Sequence, residues 1–261
     1  MAAPEHRPGE LVDLTDFAGS LFHGPAAHLA SRFEAAPAIQ GDISCIRMLD
    51  PKGLTDILET YRAGKLPTSD RRAIASFWSQ WYFGFMIPPL LMLSHAAGTR
   101  IPANPGRLTF RHDGKGQPFS FKLIQPSATA SEPDDSPFDL MHELVDNHLA
   151  PLVFSLAARS GASAKVFWMN AAVAIDYTCD VLLDGKAPAF KAVTQAPTRP
   201  DGGRNPLFGP YRPSGSELTR TRRVCCLRYL LEGVDRCPDC SLMPASGKTE
   251  RPVVPGAGRT D

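Results

Sequence analysis

The chain has 261 residues, of which 43% are hydrophobic and 21% are charged, so it can bury a substantial core. Its formal net charge of +1 gives no general case for nucleic acid or an anionic membrane as its partner. The first residues contain no basic stretch followed by an apolar run, and no apolar stretch is long enough to span a bilayer. We therefore expect a cytoplasmic protein whose six cysteines stay reduced.

The first part of the chain favours helices. Apolar residues at helical spacing predict one helix over residues 55–63 and a second, strongly aromatic helix over residues 71–85. Pro88-Pro89 should break or kink the second helix, because proline lacks an amide hydrogen. A third helix is then expected over residues 90–97.

The central part of the chain changes character. Two alternating segments around an Asp-Gly-Lys-Gly turn predict a β-hairpin over residues 108–124. Residues 137–160 predict a helix, with an interruption near Pro151. Residues 164–183 predict another helix, although their β-branched content leaves a strand possible. Residues 188–216 are rich in proline and glycine and are expected to be irregular.

Together these elements predict an α+β protein with a mainly helical body, a central hairpin and a small cysteine-rich segment near the C-terminus. We expect a substrate-binding body over residues 1–200 and a metal-binding segment over residues 201–243. Residues 244–261 are mostly proline, glycine, serine and charged residues, a composition typical of a disordered tail.

The most informative motif is a set of four cysteines with the spacing C-C-x10-C-x2-C, namely Cys225, Cys226, Cys237 and Cys240. Four nearby thiolates form a complete ligand set for zinc or for an iron–sulfur cluster. Cys225 and Cys226 are adjacent, and an extended backbone would point their side chains to opposite sides. We therefore expect a non-extended backbone at this pair.

Three interpretations of the motif remain open from spacing alone. A structural zinc site and a [2Fe–2S] cluster are equally favoured, and the adjacent pair suits a two-metal cluster better than a single ion. A redox-active dithiol is less favoured, because the sequence shows no βαβ setting around Cys237 and Cys240.

The cysteines lie in a basic part of the sequence. Between Arg199 and Arg236 there are eight arginines and four acidic residues, a local excess of four positive charges. Such charge can stabilise a reduced anionic cluster, and it can attract an anionic substrate or an acidic electron carrier.

Several segments resemble the ferric siderophore reductases of the FhuF type. They are Asn205-Pro206-Leu207-Phe208, Arg222-Arg223-Val224-Cys225-Cys226-Leu227-Arg228-Tyr229, and Cys237-Pro238-Asp239-Cys240. The aromatic stretch at residues 77–83 with Pro88-Pro89 downstream also looks like a helical segment of that family.

The resemblance implies a [2Fe–2S] cofactor bound by Cys225, Cys226, Cys237 and Cys240. It further implies an enzyme that passes one electron to Fe(III) in an imported siderophore, so that Fe(II) is released in the cytoplasm. Two other functions remain as alternatives. One is a binding protein with a structural zinc at the same cysteines, and the other is an iron–sulfur electron carrier or sensor.

The sequence contains no dinucleotide-binding glycine motif after a strand and no phosphate-binding loop. We therefore expect a separate electron donor, either a ferredoxin-like protein or an NAD(P)H-dependent reductase. The ferric siderophore and this donor are the expected partners, and the protein could associate with the inner face of the cytoplasmic membrane.

Candidate substrate contacts are Trp78, Trp81, Tyr82, Arg222 and Arg223. Aromatic rings suit a bulky siderophore, but packing of one helix face in the core is the better explanation for at least two of them.

Two other groups of residues carry metal-ligating or thiol chemistry. His142, Asp146 and His148 could approach one another on a helix, although their spacing favours a solvated face over a metal site. Cys45 and Cys179 are expected to be buried, unreactive thiols.

Overall fold

The computed structural model describes residues 6–212 and 220–242, and within these ranges the predicted α+β class is confirmed. The tail predicted over residues 244–261 lies outside them. The α-helices are α1 Thr15–Leu21, α2 Pro51–Lys65, α3 Arg71–Ala97, α4 Pro137–Leu140, α5 Ala150–Ser160, α6 Ala164–Tyr177 and α7 Pro188–Gln195. The strands are β1 Leu11–Asp13, β2 Phe33–Ala35, β3 Ile43–Ser44, β4 Leu108–His112, β5 Pro118–Leu123, β6 Ser127–Thr129, β7 Tyr211–Arg212 and β8 Thr221–Arg222.

Helix α3 is the central element of the fold. The side chain of Asp70 caps it by accepting a hydrogen bond from the amide of Arg72 at 2.8 Å. The helix is apolar on nearly all sides and is buried along most of its length, as expected for a helix inside a core. It packs against α1, α2, α5, α6 and the hairpin, so it positions most of the helical body and the sheet.

The sequence predicted a break or a kink at Pro88-Pro89, and the break does not occur, because the helix continues through the pair. The carbonyls of Gly84 and Phe85 lose their helical amide donors, because neither proline carries an amide hydrogen. Both prolines are buried, and the helix ends only at Ala97, where Gly98 adopts a left-handed conformation with φ of 63°. Packing on all sides of α3 therefore outweighs the local preference of the prolines.

The predicted hairpin is confirmed. Strands β4 and β5 pair antiparallel, with Phe110 opposite Phe121. Strand β2 adds to β5 in a parallel arrangement and β3 adds to β4, so that the sheet order is β2-β5-β4-β3. The rings of Phe110 and Phe121 lie 5.6 and 5.0 Å from the ring of Tyr82 on α3. The sheet thus packs against the first half of the central helix.

The region after the hairpin is more divided than predicted. The helix expected over residues 137–160 consists of α4, a wider π-helical stretch Glu143–Leu149 and α5. The interruption precedes Pro151, which lies in the first turn of α5, where a missing amide hydrogen costs little. The helix expected over residues 164–183 is α6 followed by a second π-helical stretch, Thr178–Leu182, and no strand forms within it.

Helix α7 lies inside the segment that was predicted to be irregular, so that prediction is wrong for residues 188–195. Its buried residues are Phe190, Val193 and Thr194. Their contacts with α4 and α6 stabilise a short helix that proline content alone disfavours.

His148 is a buried polar side chain in the core beneath α3. Its Nδ1 donates to the carbonyl of Ala103 at 2.7 Å, and its Nε2 accepts from the hydroxyl of Tyr82 at 2.9 Å. Burial lowers the pKa of His148 to about 4, and the hydrogen bond to Ala103 only partly opposes this shift. The imidazole is therefore neutral in the folded protein at neutral pH.

We predict that His148 makes the protein less stable as the pH falls from about 6.5 to about 4, because only the unfolded chain takes up its proton in this range. The loss should be about 3 kcal/mol of unfolding free energy. Urea denaturation across this range should show a shallower pH dependence for His148→Gln than for the wild type. The exposed His23→Gln is the matched control and should keep the wild-type slope. Identical slopes for His148→Gln and the wild type would contradict the prediction.

Candidate metal centre

The four cysteines lie on two turns that follow strand β8. The strand ends at Arg222, and neither Cys225 nor Cys226 belongs to a strand. Leu227, the next residue, adopts a left-handed conformation with φ of 62°, which is uncommon for a residue with a side chain. The chain therefore turns sharply directly after the adjacent cysteine pair, and the pair itself lies outside any strand.

The second turn contains Cys237 and Cys240. The amide of Cys240 donates to the carbonyl of Cys237 at 3.1 Å, which closes a tight turn over the C-x2-C pair. The Sγ atoms of Cys226 and Cys237 are 3.5 Å apart, so this turn brings the two halves of the motif into contact. Two thiolates bound to one tetrahedral metal at about 2.3 Å would lie at a similar separation.

The sulfurs differ in exposure. Cys226, Cys237 and Cys240 form a small buried cluster separate from the main core, whereas Cys225 is only partly buried. Backbone amides reach two of the sulfurs, because Leu227 donates to Cys225 Sγ and Leu242 donates to Cys240 Sγ, each at 3.4 Å. Amide donors of this kind stabilise thiolate ligands, so the donor chemistry of these residues suits a thiolate-ligated centre, while the described sulfur–sulfur contact among the four is that of Cys226 with Cys237.

The contact between Cys226 and Cys237 also couples their ionisation. A hydrogen bond from the Cys237 thiol, helped by the nearby guanidinium of Arg222, lowers the pKa of Cys226. The same hydrogen bond and burial raise the pKa of Cys237. Cys45 and Cys179 are buried, as predicted, and burial raises the pKa of each thiol to about 12.

The buried guanidinium of Arg222 joins the two cysteine turns. Its Nε donates to the carboxylate of Asp239, which lies between Cys237 and Cys240, at 2.8 Å. The amide of Arg222 also donates to the carbonyl of Asp239 at 2.9 Å. Nearby carboxylate and thiolate charges raise the pKa of Arg222 despite its burial, so it keeps its positive charge beside the sulfurs.

Arg222 also ties the segment to the helical body. Its Nη1 donates to Asn170 Oδ1 on α6 at 2.9 Å. Asn170 Nδ2 in turn donates to the carbonyl of Ser76 on α3 at 3.1 Å and to Ser79 Oγ at 3.0 Å. The hydroxyl of Ser76 donates to the carbonyl of Cys226 at 2.7 Å, which closes the network. The cysteine segment is therefore held by polar groups from helices α3 and α6.

The sequence analysis did not find this network. Arg222 was assigned to the substrate, and the roles of Ser76, Ser79 and Asp239 were missed. One signal was present, since Ser76, Ser79 and Asn170 are polar residues on otherwise apolar helices. Buried polar side chains of this kind need hydrogen-bond partners.

The three aromatic residues considered as substrate contacts differ in burial. Trp78 and Tyr82 are both fully buried, with the indole N–H of Trp78 donating to the carbonyl of Gly116 at 3.0 Å. Neither ring reaches the surface, so core packing, the interpretation favoured for at least two of the three rings, explains both. Trp81 is partly exposed and packs against Phe77 and Phe85. Arg223 is half-buried and remains accessible.

The histidine group does not form a metal site. His142 Nδ1 bonds with the carboxylate of Asp146 at 2.8 Å, and Arg199 also pairs with that carboxylate at 2.8 Å. His148, which was expected on the same solvated face, instead lies in the core. Throughout residues 6–212 and 220–242, no three His, Cys, Asp or Glu side chains converge closely enough to hold a single ion. None of the helices in these ranges combines the length and apolarity needed to cross a membrane.

Comparison with known proteins identifies relatives of both parts of the chain. A family model described as "Ferric iron reductase FhuF-like transporter" matches residues 76–221, which is more than half of the chain. A second model, described as "FhuF 2Fe-2S C-terminal domain", matches residues 222–242. The chain is also similar to a "Ferric siderophore reductase" of Escherichia coli (strain K12), with 26% identity over 216 residues that cover 79% of this chain and 81% of that protein.

We predict that Asp239→Asn destabilises the protein by about 3–5 kcal/mol, because it leaves the buried charge of Arg222 without its partner. Denaturation of the cluster-loaded protein should measure the loss. Asp235→Asn removes an exposed carboxylate from the segment just before this turn and is the matched control, with an expected change of about 0.5 kcal/mol or less. If both variants behave alike, the buried pair does not hold the segment in place.

Proposed function

The chain belongs to the FhuF family of ferric iron reductases, and we propose that it transfers one electron from its [2Fe–2S] cluster to Fe(III) in a siderophore. The resemblance first found in the sequence is confirmed, and the match to the 2Fe-2S domain decides between the iron–sulfur and zinc alternatives. The name of the Escherichia coli relative supports a siderophore as the iron carrier.

The proposed cluster ligands are Cys225, Cys226, Cys237 and Cys240. The observation that carries this proposal is the contact between the two cysteine turns, at 3.5 Å between Cys226 Sγ and Cys237 Sγ. The match to the 2Fe-2S domain covers both turns and Arg222. The [2Fe–2S] cluster supplies a one-electron carrier, and the chain supplies four thiolates, two amide donors and a buried cation around it.

The reaction balances as a single electron exchange. Fe(III) in the siderophore gains one electron and becomes Fe(II), while the reduced protein loses one. Hard oxygen ligands bind the less charged Fe(II) more weakly, so the metal is released in the cytoplasm. Each 59 mV of potential difference changes the equilibrium of a one-electron transfer about tenfold. Capture of Fe(II) by another ligand can therefore complete an exchange that starts slightly uphill.

Arg222 and the two amide donors have a definable role in this exchange. The buried positive charge of Arg222 and the amides of Leu227 and Leu242 stabilise extra negative charge on the sulfur ligands. They should therefore raise the reduction potential of the centre. Cys225 is the partly exposed cysteine of the four, so electrons are proposed to enter and leave the cluster on its side.

The electron donor in this proposal is a separate protein, either ferredoxin-like or an NAD(P)H-dependent reductase. The sequence carries no nucleotide-binding motif of the usual kinds, which supports a separate donor. Reaction in the cytoplasm, with possible contact at the inner face of the membrane, belongs to the same proposal because the iron arrives there inside an imported siderophore.

We predict that reduced, anaerobic protein mixed with a ferric siderophore and a ferrous chelator regains the visible absorption of its oxidised cluster as the ferrous chelate forms. Stopped-flow absorbance follows the band of the oxidised cluster and the band of the ferrous chelate. One ferrous chelate should form for each cluster that is reoxidised. NADPH alone should leave the oxidised cluster unchanged. A cluster that stays reduced with every ferric siderophore tested would argue for the carrier or sensor alternative.

We predict that Cys225→Ser, Cys226→Ser, Cys237→Ser and Cys240→Ser each lower the iron and sulfide content of the purified protein and alter its visible spectrum, because each removes a thiolate ligand. Cys179→Ala removes a buried thiol elsewhere and is the matched control. Full, spectrally unchanged loading in any of the four serine variants would remove that cysteine from the ligand set.

A further inference from the structure

A cavity of about 540 Å³ lies between α6 and the loop that precedes β7. Its wall includes Lys165, Trp168, Arg204, Phe208 and Arg223. The volume falls in the range of small-molecule sites, which usually combine apolar walls with a few polar anchors. No part of the reaction described so far uses this cavity.

The charge of the cavity is positive. Lys165, Arg204 and Arg223 line it, and none of its lining residues in the described part of the chain is acidic. Within the described part of the chain, none of the three cations forms an ion pair. Other cationic side chains of the protein do pair with carboxylates, as Arg100 does with Asp135. Three cations around one cavity, with no acidic partner among the described residues, favour an anionic ligand.

Arg223 is held in position at the edge of the cavity. Its guanidinium lies 5.1 Å from the ring centre of Phe208. It also packs closely over Gly209, where a Cβ would stand 2.6 Å from Arg223 Nη2. Gly209 has a positive φ of 61°, a conformation that favours glycine. The glycine thus leaves the space that the guanidinium occupies, and less side-chain freedom is lost when a ligand binds.

The cavity is also next to the proposed cluster ligands. Arg223 precedes Cys225 by two residues, so their Cα atoms are separated by about 7 Å at most. Another cavity, against Cys237, measures about 60 Å³, which is too small for an iron chelate. A third, of about 400 Å³, is lined by Arg71 and Arg159 but by no residue within two positions of a proposed cysteine ligand.

We propose that the cavity beside Arg223 binds the iron chelate, and that its substrate class is an anionic siderophore that presents carboxylate groups. This inference rests on the proposed function for the identity of the ligand as an iron chelate. Arginine guanidinium groups bind carboxylates through paired hydrogen bonds, and Trp168 and Phe208 provide apolar contacts for the organic part of the chelate. A tris-hydroxamate complex of a trivalent ion has a neutral metal centre and gains little from the three cations.

Binding can be measured apart from electron transfer by replacing iron with gallium, a trivalent ion of similar size that is not reduced under these conditions. The probes are the gallium complex of a citrate-based dihydroxamate siderophore, which is anionic, and the gallium complex of a neutral tris-hydroxamate siderophore. Isothermal titration calorimetry on oxidised, cluster-loaded protein should give about tenfold tighter binding for the anionic complex. Added salt should weaken that complex selectively. Equal affinity for both complexes would overturn the proposed substrate class.

Substitutions locate the site. Arg223→Gln should weaken binding of the anionic gallium complex about tenfold, and Lys165→Gln and Arg204→Gln about threefold each, with little effect on the neutral complex. Arg159→Gln removes an exposed arginine at the third cavity and is the matched control. Unchanged affinity in the first three variants, or an equal loss in Arg159→Gln, would place the ligand elsewhere.

These experiments test the reductase activity and the cavity assignment independently of each other. If the gallium complex binds as described but the reduced protein does not reduce its iron counterpart, the reductase activity is refuted and the cavity assignment stands. If iron is reduced while the cavity variants bind normally, the cavity assignment is refuted and the reductase activity stands.

Discussion

The arrangement of the whole site depends on one buried cation. Arg222 has almost no contact with solvent, and it holds Asp239 on one side and Asn170 on the other. The first contact joins the two cysteine turns, and the second joins both turns to α6. A buried charge is costly unless it is paired and hydrogen-bonded, and this one is both. A short segment with little core of its own thereby acquires a defined position on a large helical body.

The body that receives this segment is organised by α3. The helix presents Ser76 and Ser79 to the network near its N-terminal end and passes the double proline further along. Trp78 and Tyr82, on another face of the same helix, contact the hairpin. Trp78 and Tyr82, which were considered as substrate contacts, therefore pack against the sheet. The neighbouring serines Ser76 and Ser79 belong to the hydrogen-bond network that holds the metal-binding segment.

Local features of the sequence were enough to predict much of this structure. The hairpin follows from two alternating segments around a turn, and the cysteine motif follows from its spacing. Features that depend on distant residues were not accessible. The contact of Asn170 with Arg222 spans 52 positions and that of Ser76 with Cys226 spans 150, so no local pattern records them. The break assigned to Pro88-Pro89 was wrong for the same reason, because burial from all sides overrides a local preference.

The anchorage of the cysteine segment has a consequence for loss of the inorganic centre. The polar groups that receive Arg222 come from α3 and α6, so they are correctly placed only when those two helices pack together. The docking of the cysteine turns therefore depends on the packed pair of helices, whereas the packing of α3 against α6 does not depend on the four cysteines. Loss of the inorganic centre would then release a short segment near the end of the chain and leave the contacts between the two helices in place.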